Sequence, residues 1–217
     1  MRGRDLLRWL ASIPTGERDR AIEAHLGIGD GAPAAPPGDH AVGYHASGVA
    51  PIVHALMEAS VTADDVVVDL GSGLGKVVML AALLTGARAH GVELQPDLVK
   101  RARAAATTLG LDVTFSCEDA RVAPLETGTV FFLYLPFTGP ILDEVVDRLA
   151  RLAETKSIAI AALGVDLPAR PSLVRRNVDS FWLNLYEGLT PRRATPYPIS
   201  VLCSVEAERV ALERAPR

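Results

Sequence analysis

The chain alternates short continuous apolar runs with longer segments whose apolar residues recur every three or four positions. Val66-Val67-Val68-Asp69-Leu70 is such a run, β-branched and too short for a helix, and it predicts a buried strand. Runs at 87–92, 113–116, 130–135 and 157–163 predict four more. Helical spacing fills the gaps. A helix over about 49–60 precedes the first strand, and others are expected over 75–84, 96–109 and 140–152. Pro96 sits in the first turn of its helix, where a missing N–H costs nothing. In the last helix Ile141, Val145, Leu149 and Leu152 share one face. Strand and helix alternating five times predict an open parallel sheet with helices on both faces. Phe181–Tyr186 and Ile199–Ala207 are β-rich with turn residues between them, and predict an antiparallel pair at one edge.

Residues 4–26 predict one or two short amphipathic helices, with Leu6, Leu7, Leu10, Ile13, Ile22 and Leu26 as the apolar stripe. The stretch from Gly27 to Asp39 is rich in Gly and Pro and predicts a linker. The chain therefore divides into an N-terminal extension, 1–40, and a main domain, 41–217. The first apolar run is broken by Arg8 and ends in Glu17-Arg18-Asp19-Arg20, unlike a secretory signal. No run approaches the roughly 18 apolar residues of a membrane span. A cytoplasmic protein with no membrane partner is expected.

Composition narrows the chemistry. About half the residues (49%) are apolar, enough for a substantial core, and the net charge is −4. Of 22 basic residues 19 are Arg, but no global basic field points to a nucleic-acid partner, and none is expected. The two cysteines, Cys117 and Cys203, and the five histidines have no metal-ligand spacing, so no metal is expected.

The informative segment is Asp69-Leu70-Gly71-Ser72-Gly73-Leu74-Gly75-Lys76, at the end of the first strand and the start of a helix. Ligands of open α/β sheets bind at the carboxyl ends of strands, and glycines let the backbone approach them. A dinucleotide fingerprint requires glycine where Lys76 stands. A phosphate loop requires Ser or Thr where Val77 stands and glycine at Leu70. The pattern acid-x-G-x-G-x-G is matched throughout. Glu93 ends the second strand about 20 residues further on, where a carboxylate accepts hydrogen bonds from ribose hydroxyls. Glu118-Asp119-Ala120 follows the third strand. Asp119 there is either an acceptor for an adenine amino group, with Ala120 as a backbone contact, or a helix N-cap.

These motifs resemble class I S-adenosylmethionine-dependent methyltransferases over about residues 42–165. The resemblance implies a Rossmann-like seven-stranded sheet, mostly parallel with a C-terminal antiparallel hairpin. It implies S-adenosylmethionine as cofactor, held by Tyr44, Ser47, Asp69, Gly71, Ser72, Gly73, Gly75, Lys76, Glu93, Leu94, Asp119, Ala120 and Tyr134. Within the superfamily, Gly43-Tyr44-His45-Ala46-Ser47, the DLGSG loop and Val130–Pro140 look most like DOT1-type and small prokaryotic protein lysine methyltransferases. The chain departs from the DOT1 pattern at Tyr134 and Leu135, where that family has an Asn pair, and at Lys76, where it has Gln.

A lysine acceptor must lose its proton before attack, and an aromatic channel favours the neutral amine by desolvation. Tyr44, Tyr134 and Phe137 are candidates for that channel, with Tyr134 and Tyr44 the candidate catalytic residues. Core packing is the competing role for Tyr134 and Phe137. Arg170, Arg175, Arg176, Arg192 and Arg193 are either solvated loop charges or a surface for an acidic partner. A protein lysine or a small molecule as acceptor, or a non-catalytic cofactor-binding subunit, all fit the sequence.

Overall fold

The computed structural model describes residues 1–29, 39–41, 43, 45–180, 182–190 and 192. Strand β1 (Val66–Leu70) is buried along its whole length. Such a strand needs no polar alternation, because helices cover both faces of its sheet. It pairs in parallel with β2 (Arg88–Glu93) on one side and β4 (Val130–Tyr134) on the other. β3 (Val113–Cys117) lies beyond β2, and β5 (Ala159–Leu163) beyond β4, both parallel. β7 (Leu183–Gly188) runs antiparallel to β5, and β6 (Leu173–Arg176) pairs antiparallel with β7 at the edge. The order is β3-β2-β1-β4-β5-β7-β6, a mostly parallel sheet of seven strands, as expected.

One strand of the expected hairpin is corrected. The partner of β7 is β6, Leu173–Arg176, whereas Ile199–Ala207 lies outside the described residues. β6 has four residues, half-buried at its ends and exposed at its centre. It shows neither alternation nor a continuous apolar run, so the hydrophobic pattern does not mark it.

The two faces of the sheet divide the strand residues by their period of two. Val67, Phe132, Ala161 and Leu185 join one core with α1 (Gly3–Ser12), α2 (Arg18–Leu26), α3 (Val49–Glu58), α4 (Lys76–Thr85) and α5 (Pro96–Thr108). Val68, Leu70, Phe131 and Ile160 join the other with α6 (Gly139–Thr155). The N-terminal helices are part of the first core: Leu6, Leu10, Ile22 and Leu26 are buried in it, and α1 packs on α4. The helices before the expected linker thus share the core of the sheet domain. Among the described residues, no helix is long and apolar enough to cross a membrane.

Candidate functional site at the carboxyl ends of the strands

The central strands end together, and their ends are sewn to one another. The backbone N–H groups of Gly71 and Ser72, just past β1, both donate to Val92 O at the end of β2 (2.8 and 3.0 Å). The N–H of Glu118, just past β3, donates to Glu93 O (3.0 Å). The loop then closes on itself, with Gly75 N–H donating to Ser72 O (2.7 Å), and turns into α4.

The glycines are required for distinct reasons. Gly71 has φ +85°, and a Cβ there would lie 2.4 Å from Pro136 Cβ. Gly75 has φ +78°, and its Cβ would lie 2.5 Å from the Phe115 ring and 3.3 Å from Ala102 Cβ. Gly75 therefore allows α4 to pack against β3 and α5, and it does not line the cavity. Gly73, at φ +51°, points its N–H at Glu93 Oε2 (2.9 Å).

Glu93 is the hinge of the arrangement. One carboxylate oxygen accepts from Gly73 N–H and the other from Gln95 N–H, each at 2.9 Å. The side chain is fixed by two backbone donors, and each oxygen keeps a second lone pair. Gln95 is a residue the sequence reading passed over. Its signal is its place as the N-cap position before Pro96, which aims its N–H back at the strand end.

A cavity of about 360 Å³ opens over these strand ends. Its lining includes Ser47, Asp69, Gly71, Ser72, Lys76, Glu93, Leu94, Asp119, Ala120 and Tyr134 of the expected set, together with Phe137 and Glu118. Gly73 and Gly75 stand behind it. Tyr44 lies outside the described residues, but its neighbours Gly43, His45 and Ala46 line the wall.

The roof comes from two segments that the sequence pattern does not connect. After β4 the chain turns sharply at Leu135, a non-glycine residue at φ +43°. Such backbone is costly and is held by its surroundings. Leu135 packs on Gly164, where a Cβ would sit 3.1 Å from Leu135 Cδ1, and Pro136 covers Gly71. Phe137 then bridges to Ala41, and Thr138 N–H donates to His40 O (2.8 Å). Tyr134 is half-buried at the cavity edge, and Phe137 is buried beneath the bridge.

The charged residues of the lining are mostly acidic. Asp69 is buried, and its carboxyl is pushed well above the usual carboxylate range, by burial first and by the nearby Glu93 charge second. Asp119 is held below that range, chiefly by the Arg121 side chain, whose Nη2 lies 2.6 Å from Oδ2. Its Oδ1 also accepts the Arg121 backbone N–H (2.8 Å), so Asp119 caps its own turn while facing the cavity. Among the described residues, Lys76 is the one Lys or Arg in the lining. It is 4% exposed, and its Nζ donates to Asp19 and Glu23 of α2, each at 2.8 Å.

Four arginines of the C-terminal third are engaged within the chain. Arg170 pairs with Asp143 and Asp147, Arg175 with Asp166, Arg176 with Glu58 and Glu187, and Arg192 with Asp65. These pairs join strands, helices and loops to one another. Arg193 lies outside the described residues. Among the described residues, no group of His, Cys, Asp and Glu is arranged to hold a metal.

The cavity suits a nucleoside-bearing ligand. Its volume falls in the range of about 300–1,000 Å³ common for small-molecule sites. The Ser72 hydroxyl, packed against Gly91 of β2, is buried with no hydrogen-bond partner among the described residues. Leu94, 46% exposed at the rim, offers an apolar wall beside the fixed Glu93 carboxylate.

Comparison with known proteins agrees. Residues 67–156 match the family described as a methyltransferase domain. Among solved structures, an RNA methyltransferase from Salinibacter ruber in complex with S-adenosyl-L-homocysteine is 28% identical, with a TM-score of 0.55. The match covers 70% of this chain and 97% of that one. A protein solved in work on converting a disulfide bond into a thioacetal group during echinomycin biosynthesis shares the fold. It is 19% identical, with a TM-score of 0.52, over 76% of this chain and 88% of that one. No curated protein matches the sequence.

Proposed function

We propose, for a chain that is a class I S-adenosylmethionine-dependent methyltransferase, that the cavity over β1, β2 and β4 is the cofactor and transfer site, and that the acceptor is an amine entering beside Tyr134. The observation that carries the cofactor reading is the Glu93 carboxylate, pinned by two backbone N–H groups in the wall of a glycine-lined cavity. In this reading Glu93 accepts from both ribose hydroxyls. Leu94 and Ala120 flank the base, and Asp119 faces its amino group. Ser47, Ser72, Asp69 and Lys76 surround the amino-acid end, and Gly71 lets the chain pass beneath Pro136.

S-adenosylmethionine supplies an electrophilic methyl group on a sulfonium. The chain's own contribution is placement and exclusion of water. A lining richer in carboxylates than in cations favours a positively charged ligand. Tyr134 and Phe137 form the aromatic side of the acceptor's approach. Desolvation there favours the neutral, nucleophilic amine over the ammonium.

A protein lysine is the acceptor we favour, because half-buried Tyr134 adjoins exposed Leu135 at the rim, where a long side chain reaches in from outside. A small-molecule acceptor is favoured by a different observation, the roof that residues 40–41 make with residues 137–138. The acceptor named for the Salinibacter protein is not carried over. The net charge is −4, which gives no overall attraction for a phosphate backbone.

The test is calorimetric titration with S-adenosylmethionine and S-adenosylhomocysteine, followed by transfer of a tritiated methyl group into a cell extract. Label in protein that maps to lysine supports the first acceptor. Label confined to the small-molecule fraction supports the second. Label in RNA, or no binding of either ligand to folded protein, overturns the proposal.

A further inference from the structure

We infer that Arg148 of α6 is a positioning residue for the base of the ligand. Its guanidinium fixes the turn that carries Asp119 and Ala120, and so sets how sharply the site tells adenine from a base without the amino group. The inference rests on the cofactor reading above and deepens it.

After β3 the chain makes a tight turn over residues 119–123 that does not run on into a helix. Asp119 O accepts the N–H groups of Val122 (3.0 Å) and Ala123 (2.9 Å). A helix would go on to supply N–H groups to the carbonyls that follow. Here the chain leaves, and those carbonyls need donors from elsewhere. Arg148 provides them, with Nη1 donating to Ala120 O (2.9 Å) and Nη2 to Ala123 O (2.6 Å). Ala120 and Ala123 are both buried, so water is a poor substitute. A guanidinium is a rigid planar fork, and bonds from both of its prongs fix the tilt of the turn as well as its place.

That turn is a wall of the cavity, lined by Asp119 and Ala120. Arg148 is not part of the lining and acts through the turn. Arg121, which holds the Asp119 carboxylate, belongs to the same turn, so their pairing fixes the carboxylate relative to the turn and not to the sheet. The near end of the turn is tied to β2 by Glu118 N–H on Glu93 O. Ala123 and Leu125 seat the far end in the core that α6 shares through Val145, Val146 and Leu149, and Arg148 sets its orientation there. A hydrogen bond from the adenine amino group to Asp119 is directional, so it is made well only at one tilt.

The experiment compares two ligands on the intact chain by calorimetry, with thermal midpoints measured alongside. S-adenosylhomocysteine carries the amino group, and S-inosylhomocysteine has oxygen in its place. Wild type should prefer the adenine ligand by about tenfold or more, the ordinary worth of a hydrogen bond to a carboxylate. Arg148→Met should cut the preference to about threefold or less, by weakening the adenine ligand and leaving the inosine ligand nearly unchanged. Arg148→Lys keeps the charge without the fork, and should fall between the two; it carries the test if Arg148→Met does not fold. Asp119→Ala should lose the same preference, and adding Arg148→Met to it should cost no more, because Arg148 acts through that carboxylate. A lowered midpoint with the preference intact in the folded variants makes Arg148 merely structural and overturns the inference. Equal wild-type binding of the two ligands also overturns it and leaves the Glu93 site standing. Failure of wild type to bind either ligand removes the cofactor reading and this inference together.

Discussion

Replacing Glu93 by alanine removes the acceptor of two loop N–H groups and the expected acceptor of two ribose hydroxyls. Both effects can be sized. The N–H groups of Gly73 and Gln95 each donate to it at 2.9 Å. A buried donor left without a partner costs about 1–3 kcal/mol, so two cost about 2–6 kcal/mol. The low end is expected, since the truncated side chain leaves room for water to reach them. Two charge-assisted hydrogen bonds to the ribose, at about 1.5–3 kcal/mol each, amount to a loss of at least about 100-fold in affinity. Glu93→Gln keeps one acceptor oxygen for one loop N–H but turns an NH₂ towards the other, and it loses the charge. A loss of about tenfold is expected for it. Urea unfolding reads the first effect, and calorimetry with S-adenosylhomocysteine reads the second. A Glu93→Ala protein that is folded and binds within threefold of wild type would refute the reasoning, because no other fixed acceptor on β2 is available to replace it.

Three further outcomes are expected. Gly75→Ala should destabilise the fold by about 3 kcal/mol or more, since it combines a left-handed backbone with a contact on the Phe115 ring; a thermal midpoint near that of wild type would count against the packing role. Asp69→Asn should raise the midpoint at pH 8 and lose its advantage as pH falls towards 4. The folded pKa of Asp69 is raised, so its contribution to stability is present below its unfolded value and is lost as pH rises through the folded one; a gain independent of pH would show that ionisation is not the cause. Arg192→Met should cost about 3 kcal/mol, because Arg192 sits 2.7 Å from buried Asp65 and also donates to Thr129 O, leaving a buried carboxylate less well paired. Chemical denaturation showing no loss would place that ion pair among the neutral ones.

How far the sequence reaches depends on the distance over which each feature is determined. The five parallel strands and their helices are local: β1 and β4 are short apolar runs, and α6 places Val145 and Leu149 on one buried face. The glycine loop and Glu93 were legible for the same reason, since turn geometry and strand ends are fixed by neighbours in the chain and the spacing between them by one crossover helix. β6 was not legible, because an exposed four-residue edge strand is defined by the hydrogen bonds that β7 offers it. Nor was the difference between Gly71 and Gly75, two glycines of one motif, for their partners are Pro136 in the turn after β4 and Phe115 in the middle of β3. Lys76 is the clearest case. By itself the sequence determined that a polar residue follows the loop. Only the tertiary structure decided that its charge is answered by Asp19 and Glu23, more than fifty residues earlier, because burying an ammonium is tolerable only where the fold brings carboxylates to meet it.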